Sequence, residues 1–157
     1  MKRIVFVLGI TASFAVMGCL KEDKVEPCVV KTLEQDKVIM TKFAADSSIT
    51  ATEDPTGLFY QIIEPGTGAT PTATSTVTVR YVGRFTDNGQ RVDASNLDKD
   101  VSFPLDGVIR GWTIGIPKIK AGGKIKMIIP SSLGYGCSQG TRTNQPLYFY
   151  VELLSVK

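Results

Sequence analysis

The sequence has no histidine, and its three cysteines are scattered at positions 19, 28 and 137. Most metal sites and most imidazole-based catalysis are thereby excluded, since both need such side chains gathered in one place. Neither sign of charge dominates: 18 Lys and Arg oppose 15 Asp and Glu, leaving +3 with no basic cluster. Nucleic acid is therefore not an indicated partner. Also lacking are a Gly-x-Ser-x-Gly elbow, a P-loop, a Gly-x-Gly-x-x-Gly following a strand and a Cys-x-x-Cys pair. Chemistry in this chain has to come from shape and apolar burial. A length of 157 residues with 43% hydrophobic content suffices for one compact domain with extensions.

No apolar run reaches the roughly 20 residues that span a bilayer as a helix. The longest begins after Lys2 and Arg3, covers Ile4 to Val16 and ends at Met17-Gly18-Cys19, with Lys21, Glu22, Asp23 and Lys24 close behind. A basic start, a short apolar stretch and a small residue at its end read as a secretory signal over residues 1–18. Val16-Met17-Gly18-Cys19 resembles the bacterial lipobox. That resemblance implies a lipoprotein with acyl chains such as palmitate on Cys19, where each buried methylene contributes about 0.8 kcal/mol to membrane attachment. The expected location is the bacterial cell envelope, at the outer membrane, facing the periplasm or the cell surface. The bland alternative is an ordinary cysteine buried in an N-terminal helix. Residues 19–31 then form the anchor and a charged tether. Cys28 and Cys137 are left in an oxidising compartment, where they either pair, pinning the extension to the loop after Tyr135, or stay as two free thiols.

Residues 32–56 read as a small helical extension. Thr32 and Gln35 stand at capping-box spacing ahead of Leu33, Ile39, Met40, Phe43 and Ala44, which predicts a helix over Leu33–Ala45 packed against the main domain. Ala51 to Thr56 reads as a loop. From Gly57 onward short strands alternate with turns. Leu58 to Ile63 is apolar and stops at Glu64-Pro65-Gly66; Val77, Val79 and Tyr81 alternate with Thr78, Arg80 and Val82; Asp87-Asn88-Gly89 offers a hairpin turn. Ile125, Met127 and Ile129 alternate with Lys124, Lys126 and Ile128, and Leu147, Phe149, Val151 and Leu153 with Tyr148, Tyr150, Glu152 and Leu154. Between the strands, Val108 to Ile116 has room for about two helical turns bearing Ile109, Trp112 and Ile116. The fold class is α+β, an antiparallel sheet of about five strands curled around one short helix, because such a sheet needs one face covered.

Six segments occur in order: Val79-Arg80-Tyr81-Val82-Gly83, Asp87 to Ser95, Phe103-Pro104-Leu105, Val108-Ile109-Arg110-Gly111-Trp112, Ile129 to Gly136, and Pro146 to Leu154. Together they resemble the FKBP-type peptidyl-prolyl cis–trans isomerases over residues 57–157. The segment from the helix through Ile49 to Tyr60 is similar to lipid-anchored members of that family from Bacteroidetes-like bacteria. The resemblance implies an FKBP-like sheet and a cleft whose floor is Trp112. It matches Tyr81 and Phe149 to the cleft walls, Val108 and Ile109 to the entry of the helix, Asp93 to the pocket carboxylate and Tyr135 to the phenol donor. Tyr81, Asp93 and Tyr135 are the expected catalytic residues. Val92, Val101, Val108, Ile109, Trp112 and Phe149 are the expected substrate contacts. No metal and no cofactor is implied.

The resemblance has departures. Val92 and Val101 stand where active members commonly carry phenylalanine, and the loop from Cys137 to Gln145 lacks the Ile-Pro-Pro stretch that usually overhangs the cleft. The first expected function is a monomeric prolyl isomerase acting on proline-containing segments of exported polypeptides. The second is a proline-peptide or unfolded-chain binder that keeps the cleft without useful turnover. A third is a lipoprotein that uses the domain as a scaffold for carbohydrate or host contacts, since fold does not fix function.

Overall fold

A computed structural model of the chain describes residues 28–92, 97–138 and 144–157. Cys19 and Asp93 lie outside the described residues. Helix α1 spans Leu33–Asp46, and its capping box is in place: Thr32 Oγ1 accepts from the Gln35 amide at 3.3 Å, and the Thr32 amide donates to Gln35 Oε1 at 2.9 Å. Six strands follow among the described residues: β1 Thr52–Glu53, β2 Phe59–Glu64, β3 Thr76–Phe85, β4 Val101–Pro104, β5 Lys124–Ile129 and β6 Leu147–Val156, with the short helix α2, Arg110–Gly115, between β4 and β5. They form one sheet in the order β1-β2-β5-β6-β3-β4, every pairing antiparallel. No described helix is long and apolar enough to cross a membrane.

The period-two patterns fix which residues meet. On one face Val77, Val79 and Tyr81 of β3, Ile125, Met127 and Ile129 of β5, and Leu147, Phe149, Val151 and Leu153 of β6 form the main core with Trp112 and Ile116. Helix α2 sits close on this face because it turns two glycines toward the sheet. A Cβ on Gly111 would run into the Ile129 side chain, and one on Gly115 into the Met127 sulfur. Alanine at Gly111 would push the helix off the branched Ile129, and alanine at Gly115 would force the buried Met127 thioether to move.

The second face is covered as well, at one end. Phe59, Ile128 and Tyr148 lie side by side across β2, β5 and β6. Over them pack Met40, Phe43 and Ala44 of α1, with Ile49, and the Phe43 and Tyr148 ring centroids are 5.3 Å apart. Ile128 is the apolar break in a β5 face that otherwise carries Lys124 and Lys126, and α1 is the reason for it. A third buried residue of α1, Asp36, faces the chain just after β5: its Oδ2 accepts from the Ser131 amide at 2.7 Å and the Ser131 hydroxyl at 2.6 Å.

The sheet also begins earlier than the sequence suggests, with Thr52 and Glu53 opposite Tyr60 and Phe59. The intervening turn is built around Asp54. Its Oδ1 accepts from the Thr56 amide at 2.9 Å, the Thr56 hydroxyl at 2.6 Å and the Leu58 amide at 3.3 Å, while Gly57 adopts φ +85°. That local bonding turns the expected loop into a hairpin and adds a strand to the expected five. Lys118, at the end of α2's continuation, pairs with Asp54 Oδ2 at 3.0 Å and lies 4.5 Å from the Tyr60 ring centroid. Cys28 and Cys137 are joined by a disulfide with Cα atoms 5.8 Å apart.

Two stability effects follow. Opening the disulfide, whose cysteines are 109 residues apart, removes a long constraint on the unfolded chain. Urea unfolding of the soluble chain with and without a thiol reductant should differ by about 2–4 kcal/mol. Equal midpoints would show that the bond contributes nothing. Burial by itself would raise the Asp54 pKa, but hydrogen bonds from Thr56 and Lys118 outweigh it and hold the carboxyl below its ordinary value. A lowered carboxylate stabilises the fold fully above the ordinary value near pH ~4, and that contribution is lost as pH falls through the lowered folded value. Asp54→Asn should therefore lower stability at pH 7 and flatten its acid limb; an unchanged slope below pH ~4 would count against this role.

Candidate active site

Beside α2 the sheet leaves a cleft of about 270 Å³, lined by Tyr81, Phe103, Gly107, Val108, Ile109, Trp112, Tyr135 and Phe149. Its floor is an aromatic cluster. The Trp112 indole meets Tyr81 at 4.8 Å and 85°, Phe149 at 5.2 Å and 84°, and Phe103 at 5.3 Å and 61°, while Tyr81 and Phe149 lie 6.1 Å apart. Edge-to-face pairs at such distances contribute about 0.5–1.5 kcal/mol each beyond area burial, so the indole is held from three sides. Trp112, Tyr81 and Phe149 are each under 10% exposed and yet line the cleft. They belong to core and site together.

Each ring arrives by ordinary strand geometry. Tyr81 on β3 and Phe149 on β6 point to the same face, and Phe149 stands opposite Gly83. A Cβ on Gly83 would strike the Phe149 ring, so this glycine makes the space in which the ring lies. Phe103 comes from the edge strand β4. Val108 and Ile109 come from the turn entering α2, where Ile109 is the N-cap residue with φ −60° and ψ 144°. Its amide therefore stands ahead of the helical hydrogen-bond ladder. That turn is tied down by the Thr113 hydroxyl, which donates to the Leu105 carbonyl at 2.7 Å. Tyr135 closes the rim from the loop that follows β5.

The cleft thus brings together Tyr81, Val108, Ile109, Trp112, Tyr135 and Phe149. Val92 and Val101 sit elsewhere. Val92 is 1% exposed inside the main core, its amide donating to the Gly83 carbonyl at 3.1 Å, because the hairpin after β3 folds it back under the sheet. Val101 pairs with Val79 at the start of β4 and packs on the rim of the core without lining the cleft. Phe103, two residues along the same strand and so on the same face, supplies the ring instead. Phe103 and Gly107 are the lining residues that sequence reasoning missed. The signal for Phe103 was present in the Phe103-Pro104-Leu105 segment, one strand period beyond Val101.

Among the described residues no charged side chain lines the cleft, and no three His, Cys, Asp or Glu side chains converge as metal ligands do. The cleft offers an apolar floor, the Tyr135 phenol at its rim and one helix-entry amide. Such a surface suits a compact apolar ring flanked by carbonyl groups.

Comparison with known proteins gives the same picture. Residues 68–154, more than half of the chain, match the family described as FKBP-type peptidyl-prolyl cis-trans isomerase. The FKBP-type peptidyl-prolyl cis-trans isomerase FkpA of Escherichia coli K12 is 37% identical over 172 aligned residues, covering 96% of this chain and 63% of that protein. The outer membrane protein MIP of Legionella longbeachae is 36% identical over 106 residues, covering 66% of this chain and 46% of its own length. The chain thus spans less than two thirds of the length of either relative. A crystal structure of a peptidyl-prolyl cis-trans isomerase from Pseudomonas syringae pv. tomato superposes with a TM-score of 0.67 at 33% identity, covering 83% of this chain and 98% of that one. By its fold, its cleft and these matches, the chain belongs to the FKBP-type peptidyl-prolyl cis-trans isomerase family.

Proposed function

We propose that the protein catalyses cis–trans isomerisation of X–Pro bonds in exported polypeptides while anchored to the cell envelope by lipid on Cys19. The observation that carries the first half is the uncharged aromatic floor around Trp112, with a phenol at its rim. Rotation about a prolyl amide faces a barrier of about 18–20 kcal/mol because amide resonance is lost on the way. Water bonded to the carbonyl oxygen favours the planar, charge-separated form. A dry cleft removes that water and favours the twisted, less polar amide.

In this reading Trp112 receives the pyrrolidine ring between Tyr81 and Phe149. The Ile109 amide and the Tyr135 hydroxyl hold carbonyls that flank the reacting bond, which leaves the reacting carbonyl unsolvated. Asp93, outside the described residues, acts electrostatically on that carbonyl or orients its neighbours. No proton changes hands and no covalent intermediate forms. Phe103 restores part of the aromatic wall that Val92 and Val101 do not provide, which favours turnover over binding alone.

Envelope attachment is supported by the lipobox-like Val16-Met17-Gly18-Cys19 and by a relative named as an outer membrane protein. Within the tether, the bond of Cys28 to Cys137 joins it to the domain two residues beyond Tyr135.

Two measurements test the reading. In a protease-coupled assay of cis-prolyl peptides, the soluble chain should accelerate conversion. Tyr135→Phe should lower kcat/KM about fivefold, the kinetic equivalent of one hydrogen bond of ~1 kcal/mol. Conversion at the buffer rate for every peptide would refute catalysis, and peptide binding without conversion would select the binder instead. Labelling cells with a radioactive fatty acid should mark the wild type and leave Cys19→Ala unmarked; equal labelling of both would remove the anchor.

A further inference from the structure

Ser131 is the hub of the turn that carries Tyr135. Its carbonyl accepts from the Gly134 amide at 3.1 Å and the Gly136 amide at 2.9 Å, the residues on either side of Tyr135. Its own two donors both end on Asp36 Oδ2 in helix α1. Asp36 and Ser131 are fully buried. Asp36 shares its helix face with Met40 and Ala44, where an apolar side chain would pack without desolvating a carboxyl. The Asp36 Oδ1 atom is buried without a partner among the described residues, a cost that packing alone does not explain. What the carboxyl supplies is a strong acceptor for two donors of one residue, 95 positions away in the chain.

The far side of Tyr135 is gripped from the same extension. Cys137 is bonded to Cys28, and the Gly136 carbonyl accepts from the Asn144 amide. Asn144 Oδ1 accepts from the Lys31 amide at 2.8 Å, and its Nδ2 donates to the Val29 carbonyl at 2.7 Å. Residues 28–36 thus hold the Tyr135 turn before and after the tyrosine.

We infer that Asp36 is a positioning residue for Tyr135: by fixing both donors of Ser131 it sets where the turn presents the phenol to the cleft, so the N-terminal extension completes the active site. This rests on the reading of Tyr135 as a donor to substrate. Positioning matters because a misplacement of about 1 Å is enough to weaken a hydrogen bond that acts only in the reacting geometry.

The test is a double-mutant cycle on kcat/KM with Asp36→Ala and Tyr135→Phe, run at a temperature where circular dichroism shows each variant folded. Asp36→Ala should lower kcat/KM about three- to tenfold in the wild-type background and by less than about twofold with Tyr135→Phe, the non-additivity of residues that act through one another. Additive losses would overturn the proposal, since a purely structural role does not depend on the phenol. If Asp36→Ala does not fold, Ser131→Ala, which keeps the backbone amide and loses the hydroxyl, should show the same pattern more weakly. Asp36→Asn, which retains one acceptor oxygen, should recover most of the rate.

Fluorine spectra of the 3-fluorotyrosine-labelled chain separate this idea from the reading beneath it. The resonance that disappears in Tyr135→Phe should shift or broaden in Asp36→Ala even if the wild type proves inactive as an isomerase. An unmoved resonance would overturn the positioning role whatever the activity.

Discussion

The edge-on packing of Trp112 against Tyr81, Phe149 and Phe103 is the contact on which the rest of the structure depends. It fills the space between the short helix and the curled sheet, and the same side chain is the floor of the cleft. A large aromatic serves both purposes because its body is buried on several sides while part of the ring remains a wall. The surrounding glycines follow from it. Gly111 and Gly115 bring α2 down onto Ile129 and Met127, and Gly83 yields its space to the Phe149 ring. With Gly111 or Gly83 filled, the helix or the ring would have to move, and with Gly115 filled, the Met127 side chain. Stability and the shape of the cleft are therefore coupled here, since the same rings make the core and the floor.

The sheet is two-faced in function as well as in packing. Its first face carries the Trp112 cluster and the cleft. Its second face carries α1, which reaches the cleft indirectly, through Ser131 at the end of β5. The disulfide and Asn144 tie the chain ahead of α1 to the loop beyond Tyr135. What reads in the sequence as a tether followed by a helical appendage is, in space, part of the frame of the cleft rim. A disulfide holds such a frame without enlarging the core, because its constraint acts on the unfolded state.

Much of this was legible from the residues because it is local. The capping box at Thr32 and Gln35 marked the start of α1 to the residue, and alternation in β3, β5 and β6 sorted the two faces. The placement of Tyr81, Trp112 and Phe149 in one cleft came through motif order, since period two and a known spacing carry that information. Other features were hidden for physical reasons. The β1 pairing depends on the side chain of Asp54 folding back on Thr56 and Leu58, which overrides the loop character of Glu53-Asp54-Pro55. Val92 and Val101 were assigned to the cleft by position in a motif, but the hairpin buries the first and the strand pairing holds the second at the core's rim. The Asp36–Ser131 bond joins positions that no local pattern relates. Its only trace in sequence is an acidic residue on the buried face of an amphipathic helix, together with the apolar Ile128 on a strand face otherwise lined with lysine.

The absence of histidine takes its meaning from this arrangement. Acid–base catalysis needs groups that titrate near the working pH, and an amide rotation needs none. What it needs is the removal of water from one carbonyl and the fixing of its neighbours. A floor that works by exclusion gains from being apolar, because polar groups there would draw water toward the bond that has to lose it. Among the described residues the charged side chains stand away from the floor. Asp54 secures the first hairpin, and Asp36 is spent beneath the Tyr135 turn rather than within the cleft. In both places a buried carboxyl orders backbone, and the order it imposes is what allows an apolar surface to be specific.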